Sequence, residues 1–205
     1  MINPLVFEKT KDGEVLYDIF SRLVKDRILF LTEEIDTDTA TVLCASLLFL
    51  NSKDENKPID LYINSPGGYL HSGLYTIYDT MNYIKAPVRT TCIGEAYSAG
   101  AFLLASGEKG ERRAFPNSHI MIHEVQNFSG GAGHQESTSE LKKRAKMFDD
   151  SNTKLINLLA ESTGQTVEKV KLLMKEETYF SAEEAKEFGL IDRIVGEKPS
   201  KRKSK

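Results

Sequence analysis

Apolar and polar positions recur along the chain with two different periods. Short β-branched or alternating runs predict strands at 28–31, 59–63, 88–93, 119–124 and 190–195. Apolar residues three or four positions apart predict helices at 17–27, 37–50, 72–84, 139–161, 166–174 and 181–188. The regular succession of strands and helices from residue 28 onward predicts an α/β fold, in which helices cover a parallel sheet.

Two of the predicted helices have an apolar stripe. In the helix that Thr37 or Asp38 can cap, the residues on one face are Val42, Ala45, Leu48 and Phe49. In the long helix at 139–161, the partial stripe consists of Leu141, Ala145, Phe148, Leu155, Leu158 and Leu159. A stripe on a long charged helix is typical of packing, and here it could pack between subunits. Other helix boundaries are marked by Gly164, Gly189 and a capping box of Ser181 with Glu184.

The two ends of the chain differ from the rest in pattern and in charge. Residues 1–16 lack clear periodicity and predict an N-terminal arm that becomes ordered only with a partner. Residues 196–205, GEKPSKRKSK, carry a net charge of +4, which leaves −7 for residues 1–195. A basic tail can touch nucleic acid, but nothing else in the sequence supports such binding, and we favour a disordered, solubilising terminus. The sequence thus predicts a single domain at 1–195 and a disordered tail at 196–205.

The composition of the 205-residue chain is ordinary for a globular protein, with 40% hydrophobic and 28% charged residues. No apolar run reaches the length of a membrane span, and the first residues contain no signal-peptide core. Cys44 and Cys92 are far apart and fit neither a metal site nor a disulfide framework. We therefore expect two buried thiols, no membrane association and a cytoplasmic location.

The stretch 88–105 carries the first candidate chemistry. A predicted strand is followed by Ala96-Tyr97-Ser98-Ala99-Gly100 and then by a helix. A sharp strand-to-helix turn exposes a serine hydroxyl and directs the helix N-terminus at negative charge that forms beside it. The pattern is related to the nucleophile elbow G-x-S-x-G, with Ala96 in place of the first glycine. Small residues at such a turn also serve close packing of the helix on the sheet, so both interpretations stay open.

Two further segments place polar chemistry at predicted strands. Gly67-Gly68 directly follows the strand at 59–63, where paired glycines let backbone amides approach a ligand or an oxyanion, or simply form a tight turn. His119 and His123 share one face of a strand, but no third ligand stands at a recognisable spacing, so we reject a zinc site. The glycine-rich stretch 128–133 lacks the spacing of a phosphate loop.

Several separate motifs, taken together and in order, resemble one known family. They are YDIFSRLVKDRI, LYINSPGG, IYDTM, AYSAGAFLLA, PNSHIMIHE, ESTGQTVEKV and FSAEEAKEFGLID, which cover nearly the whole chain. The chain resembles the proteolytic subunit of the ATP-dependent Clp protease, a serine peptidase family. The family's fold is shared with crotonases, so the resemblance implies repeated β-α units, a parallel sheet and a long handle helix.

The resemblance implies roles for five residues. Ser98 matches the nucleophile, His123 the general base and Glu177 the acid that orients the imidazole. The backbone amides of Gly68 and Ala99 match the donors of the oxyanion hole. The peptidase itself would need no metal and no cofactor, because ATP is used only by a partner unfoldase.

The same resemblance implies an assembly. Subunits of the family stack as two heptameric rings, a tetradecamer around a closed chamber, and an AAA+ unfoldase feeds unfolded polypeptide substrates into it. The long helix and the glycine-rich loop after His123 would form the contact between the rings. The loop would also hold an extended substrate by strand addition. We therefore expect a serine endopeptidase subunit of a homo-oligomer that degrades unfolded proteins to short peptides.

The chain departs from the family pattern near the proposed site. The acid is usually aspartate, whereas Glu177 occupies that position here. The elbow usually reads A-S-M-G, whereas this chain has Tyr97-Ser98-Ala99-Gly100. The helix after Gly68 holds one extra residue, and the loop after His123 holds several. The glutamate raises the question of catalytic strength.

Two further departures concern assembly. Asp60 occupies a strand position that is usually aromatic and lines the pocket for the docking loops of the ATPase, which raises the question of docking. An acidic residue followed by arginine usually precedes the catalytic acid and pairs across the rings. Lys175-Glu176 carries the same two charges in reversed order.

Two other functions fit parts of the pattern. A crotonase-like acyl-CoA enzyme would also use glycine amides as an oxyanion hole, but it leaves Ser98, His123 and Glu177 without a shared purpose. A non-catalytic subunit of a mixed ring would be expected to lose triad residues, whereas Ser98 and His123 are kept. If Glu177 is not the orienting acid, Asp192 is the alternative.

Overall fold

The structure is a computed structural model that describes residues 4–11, 13–126 and 137–197. Its strands are β1 (Leu5–Thr10), β2 (Gly13–Asp18), β3 (Ile28–Leu31), β4 (Ile59–Ser65), β5 (Val88–Tyr97), β6 (Arg113–Ala114), β7 (His119–Ile122), β8 (Thr178–Ser181) and β9 (Arg193–Ile194). Its helices are α1 (Ile19–Lys25), α2 (Thr37–Lys53), α3 (Thr76–Tyr83), α4 (Ala99–Ala105), α5 (Thr138–Thr163), α6 (Val167–Met174) and α7 (Ala182–Phe188). A π-helical turn, Leu70–Tyr75, precedes α3.

The main sheet confirms the predicted α/β fold. Strands β3, β4, β5, β6 and β9 lie side by side in that order, and each neighbouring pair is parallel. The last three residues of β5 pair in parallel with β7, and β8 pairs antiparallel with β7. The sequence analysis missed β6, which has two residues, and β8, which runs directly into the first turn of α7. It also made the last strand too long, because only 193–194 pair.

The core lies around β4 and α4. Ile59, Leu61 and Ile63 of β4 are fully buried, as are all seven residues of α4. A Cβ atom on Gly100 would lie 3.2 Å from the carbonyl oxygen of Ser65, so glycine lets α4 pack closely on the strand. One of the two interpretations of the small residues at the elbow, close helix-sheet packing, therefore holds at Gly100.

The first residues of the chain correct the expectation of an arm that needs a partner to become ordered. Strands β1 and β2 form an antiparallel hairpin, and α1 begins directly after it, capped by Asp18. The Glu8 carboxylate joins the hairpin to this helix through ion pairs with Arg22 (3.1 Å) and Lys25 (2.9 Å). The sequence does contain a hairpin signal, because Gly13 lies between two short runs that contain β-branched and aromatic residues. The search for periodicity overlooked it.

The apolar face predicted for α2 is wrong. Its buried residues are Ala40, Leu43, Cys44, Leu47 and Leu50, whereas the predicted face, Val42, Ala45, Leu48 and Phe49, is exposed. Val42 alone keeps 68% of its surface accessible. Both sets follow helical spacing, so the helix is apolar nearly all round and the periodicity cannot distinguish its two sides. The cap is Asp36 rather than Thr37 or Asp38, with the Asp36 carboxylate accepting from the amide of Thr39 (2.8 Å).

A π-helical turn follows Gly68, in the segment where the sequence analysis inferred one extra residue. The amide of Leu74 donates to the carbonyl of Tyr69, five residues back, at 2.8 Å. A π-turn takes up one more residue than an α-turn while the helix continues in the same direction. The predicted helix at 72–84 is therefore a π-turn followed by α3, and the π-turn lies beside the candidate site.

The helix ends and the thiols follow the sequence analysis closely. Ser181 with Glu184 forms the predicted capping box of α7, and Ser137 with Glu140 forms a second at the start of α5. Gly164 and Gly189 end α5 and α7 in the left-handed conformation. Cys44 and Cys92 are both free and buried. Burial raises the pKa of Cys92 to about 11.

Parts of the sequence analysis lie outside the described residues. These are the glycine-rich loop at 128–133 and the tail from residue 198 onward. The division into one domain and a disordered tail stays a prediction. Among the described residues, no helix is both long enough and apolar enough to cross a membrane.

Candidate active site

The serine elbow predicted from the sequence is present at the end of β5. The strand ends at Tyr97, α4 begins at Ala99, and Ser98 between them has φ 51° and ψ −121°. A positive φ is strained for a residue with a side chain and is found mostly where surrounding structure enforces it. The Ser98 amide donates to the carbonyl of Met121 (2.8 Å), and the Ser98 carbonyl accepts from the amides of Ala101 and Phe102. The first bond holds the elbow against β7, and the other two join it to the first turn of α4.

Gly67 makes room for the serine. A Cβ atom at Gly67 would lie 2.6 Å from the Cβ of Ser98 and 2.8 Å from the carbonyl oxygen of Tyr97. Gly67 also has φ +99°, a conformation that disfavours other residues. Glycine is therefore required at this position for the turn after β4 to contact the elbow.

Gly68 is fixed by a bridge to Ile35. The Ile35 amide donates to the Gly67 carbonyl, and the Tyr69 amide donates to the Ile35 carbonyl, each at 2.8 Å. A Cβ on Gly68 would lie 2.4 Å from the Ile35 carbonyl oxygen. The Gly68 amide takes no part in this bridge. The Ala99 amide, at the first position of α4, has no acceptor within its helix, since α-helical bonds reach back four residues.

His123 follows the last residue of β7 and is half-buried. Its neighbours fix the backbone: the Glu124 amide donates to the Met174 carbonyl (2.7 Å), and the Val125 amide donates to Asn152 Oδ1 (2.6 Å). Burial lowers the pKa of His123 below its ordinary value, and the negative charge of Glu177 acts against that shift. Within the described part of the chain, the buried Nδ1 atom of His123 has no hydrogen-bond partner.

Glu177 immediately precedes β8 and is exposed in the single chain. Ile122 lies opposite Thr178 in the antiparallel pair of β7 and β8, so the next step of the same register brings His123 level with Glu177. The phenol of Tyr179 donates to Oε2 of Glu177 at 2.7 Å. The carboxylate is therefore near the imidazole but is bound to a tyrosine. The sequence analysis missed Tyr179, because its contact depends on a strand that was not predicted.

The alternative acid, Asp192, is held elsewhere. Its carboxylate accepts from Arg112 Nε (2.9 Å) and Nη2 (2.7 Å) and from the amides of Gly110 and Arg112. The Arg112 guanidinium also donates to the carbonyls of Ala105 and Ser162. Asp192 and Arg112 thus form a structural ion pair at the ends of α4 and α5.

One cleft of about 660 Å³ brings the five candidate residues together. Ser98, His123, Glu177, Gly68 and Ala99 all line it. Further parts of its wall come from the π-turn and from the face of α5 that carries Met147 and Leu155. A serine hydroxyl, a neutral imidazole, a carboxylate and two backbone amides in one cleft are the groups that acyl transfer requires.

A comparison with protein families matches residues 11–198 to the Clp protease. The chain belongs to the Clp protease family. Membership implies a peptidase, and the mostly parallel sheet with helices on its faces is consistent with the Clp protease fold. Clp proteases generally form oligomeric rings with an unfoldase.

The structure shows the surroundings of the residues that the sequence analysis connected with assembly, Asp60, Lys175 and Glu176. Asp60 lies opposite Arg89 in the parallel pair of β4 and β5, and the two side chains form an ion pair. Both are mostly shielded from solvent. The charge of Asp60 is therefore balanced within the chain by Arg89. Lys175 and Glu176 are both exposed.

Proposed function

We propose that the chain is a serine endopeptidase, with Ser98 as nucleophile, His123 as general base and Glu177 as orienting acid. The observation that carries the proposal is the strained Ser98 elbow in one cleft with the imidazole, the carboxylate and the glycine turn. A nucleophile presented on such a turn, with a base that burial keeps neutral, supports acyl transfer at neutral pH.

The chemistry would proceed in two halves. His123 takes the proton of the Ser98 hydroxyl as Oγ attacks the peptide carbonyl, and the amides of Gly68 and Ala99 donate to the oxyanion that forms. The imidazolium then gives its proton to the leaving amine as the C–N bond breaks, which leaves an acyl-serine. In the second half, His123 takes a proton from water as the water oxygen attacks the ester. The same proton returns to Ser98 Oγ when the acid product leaves.

For the whole protein, we propose two stacked heptameric rings that degrade unfolded proteins to short peptides, fed by an AAA+ unfoldase. The exposed apolar side chains Val42, Leu48 and Phe49 of α2 support burial against another subunit, because a monomer rarely leaves such a patch in water. No cofactor has a role in the steps above, and ATP would be used only by the unfoldase. The cytoplasmic location stays a prediction.

A second candidate function is a non-catalytic subunit of a mixed ring. The observation that favours it is the His123 Nδ1 atom, which is buried without a partner among the described residues while Glu177 contacts Tyr179. A triad without its acid–base contact would turn over slowly or not at all.

Reaction with a fluorophosphonate probe distinguishes the candidates. We expect the probe to label Ser98 and a short fluorogenic peptide to be cleaved. Ser98→Ala should abolish both while assembly persists, and His123→Ala should lose on the order of 10⁴-fold in cleavage, because triad members act as a unit. Ser52→Ala is the matched control, since its hydroxyl bonds only the Phe49 carbonyl at the end of α2. Turnover retained by pure Ser98→Ala protein would refute the assignment, and a wild-type protein without labelling would favour the non-catalytic subunit.

A further inference from the structure

At the candidate site, the Glu177 carboxylate and the His123 imidazole do not hydrogen-bond in the way that a catalytic triad requires. Glu177 accepts a hydrogen bond from Tyr179 at 2.7 Å. Nδ1 of His123, the atom that an orienting acid would contact, is buried and unpartnered within the described residues. A buried polar group without a partner is costly, so this arrangement calls for a physical reason.

The position of Tyr179 is determined by the sheet. Tyr179 lies opposite Met121 in the β7–β8 pair, and the Met121 carbonyl is the acceptor of the Ser98 amide. Alternate residues of a strand face the same side, so Tyr179 and Glu177 both lie on one side of the chain. The Tyr97 ring packs edge-on against the Tyr179 ring, with 5.9 Å between centroids and an interplanar angle of 86°. The phenol is therefore held at the carboxylate by ring packing as well as by the hydrogen bond.

The carboxylate has two donors within the same small region. A neutral imidazole donates Nδ1–H to a carboxylate with only the acceptor charged, whereas an imidazolium is also charged and adds Coulomb attraction to the bond. The tyrosine hydroxyl can therefore compete while His123 is neutral and competes less well when His123 is protonated during the reaction. The additional methylene of glutamate, compared with aspartate, gives the carboxylate the reach to serve either donor.

We propose that Tyr179 is a positioning residue that holds Glu177 away from His123 in the resting protein, so that the triad closes only when Glu177 exchanges the phenol for the imidazole. The inference rests on the proposed peptidase function and adds regulation of the same site. It makes the glutamate more than a tolerated substitute for aspartate, because the longer side chain provides a second, disengaged position.

Other charged or titratable groups surround this contact, and Glu34 and His71 line other walls of the same cleft. Glu124, beside His123 in the chain, raises the pKa of the imidazole through a backbone hydrogen bond and, less strongly, through its negative charge, in the same direction as Glu177. Tyr97 interacts with Glu95. Lys175 and Glu176 precede Glu177 and are exposed, so solvent screens them. None of these groups is altered in the variants below except the Tyr97 hydroxyl.

Tyr179→Phe tests the proposal, because it removes the hydroxyl and keeps the ring. Freed from the phenol, Glu177 should pair with His123. We expect kcat for a short fluorogenic peptide to rise about tenfold, the range of one charge-assisted hydrogen bond. We also expect the acid limb of the kcat/KM profile to move up by about one pH unit, because the closer carboxylate favours the imidazolium. Tyr179 is 54% exposed, so the loss of its hydroxyl leaves the fold intact, which thermal unfolding checks.

Two further proteins make the result specific. Tyr97→Phe removes the neighbouring phenol hydroxyl, which interacts with Glu95, and should leave the acid limb in place. In a Glu177→Gln background, Tyr179→Phe should have no additional effect, because the carboxylate on which the phenol acts is gone. A Tyr179→Phe protein with unchanged or reduced kcat and an unmoved acid limb would overturn the proposal.

Failure of the proposed function gives a different result. If neither wild type nor any variant labels at Ser98, the peptidase assignment fails. An NMR titration of the His123 ring in wild type and Tyr179→Phe then tests whether Tyr179 holds Glu177 away from His123. A raised His123 pKa in the variant supports the exchange of partners, and an unchanged pKa refutes it.

Discussion

The protonation state of His123 decides whether the proposed base is available. Burial lowers the pKa of His123 below its ordinary value of 6.5. The imidazole therefore stays neutral at pH 6.5 and becomes protonated only as the pH falls through its lower, folded-state pKa. We expect the acid limb of kcat/KM to lie below pH 6.5. The free energy of unfolding should depend on pH in the same direction. The stability that neutral His123 contributes is fully present above pH 6.5 and is lost as the pH falls through its folded-state pKa.

A pH profile of peptide cleavage, with chemical unfolding measured over the same range, checks both statements. His119→Gln is the control, since it removes an exposed histidine of the same strand. An acid limb above 6.5 would contradict the burial argument.

Glu177 can be tested by charge and by length separately. Glu177→Gln keeps the shape and removes the charge that raises the pKa of His123, so turnover should fall on the order of 10²-fold or more and the acid limb should move to lower pH. Glu177→Asp keeps the charge and shortens the side chain, and we expect it to remain active. Steady-state cleavage of one peptide by the three proteins provides the comparison. Normal cleavage by Glu177→Gln would mean that no acid is needed, because Asp192 is occupied by Arg112.

Sequence reasoning reached some of these residues and not others for a physical reason. Ser98, His123 and the glycines stand in local motifs whose backbone geometry requires particular residue types, as the 2.6 Å approach of a Gly67 Cβ to Ser98 illustrates. The placement of Glu177 level with His123 depends on pairing between β7 and β8, which are about 55 residues apart in the chain, and no local pattern encodes that register.

At the scale of secondary-structure elements, the pairing of β4 with β5 places Asp60 against Arg89. Asp60→Asn removes the counter-charge of a half-buried guanidinium, so the free energy of unfolding should fall by about 1–3 kcal/mol. The double variant Asp60→Asn with Arg89→Gln should recover part of the loss, because neither charge is then left alone. Urea unfolding of wild type, Asp60→Asn, Arg89→Gln and the double variant measures the coupling. Strictly additive losses would show that the two side chains act independently.

The same pairing changes the expectation for unfoldase docking. An aromatic residue at position 60 would leave the Arg89 charge without its partner. Asp60→Tyr alone therefore removes a negative charge near the pocket but leaves the positive charge of Arg89 unpaired there. Replacement of both residues is the sharper docking experiment.

Helices were predictable where one side differs from the other or a cap marks the end. The capping box at Ser181 and the glycine at 189 fix α7 to the residue. In α2, however, the exposed and buried sides are both apolar, and only the position of the sheet decides that Leu43 and Leu47 are buried while Val42 and Phe49 are not. The sequence pattern of an element that contacts neighbours on two sides does not distinguish its own core from the surface that another subunit would cover.

At the scale of the whole molecule, Lys175 and Glu176 test the proposed contact between rings. A two-fold axis pairs Lys175 of one subunit with Glu176 of the other and the reverse, so the reversed charge order still attracts within this protein. Each exposed pair contributes only about 0–1 kcal/mol, but it recurs around the ring. Glu176→Arg should therefore give single rings or inactive double rings, because Glu176 adjoins Glu177.

Native mass measurement and peptide cleavage check that expectation. Lys175→Glu with Glu176→Arg should restore both assembly and activity, since the pair is again complementary. A Glu176→Arg protein that remains a fully active double ring would show that these charges lie outside the contact.

The burial of both thiols leaves the protein surface free for site-directed chemistry. Cys44 and Cys92 are the two cysteines of the chain, both are buried, and the high pKa of Cys92 keeps it a thiol rather than a reactive thiolate at neutral pH. A cysteine introduced at an exposed position would thus be the preferred target of a dye, a spin label or a cross-linker, without prior removal of native residues. Distances between labelled subunits could then be followed during assembly in the otherwise unmodified protein.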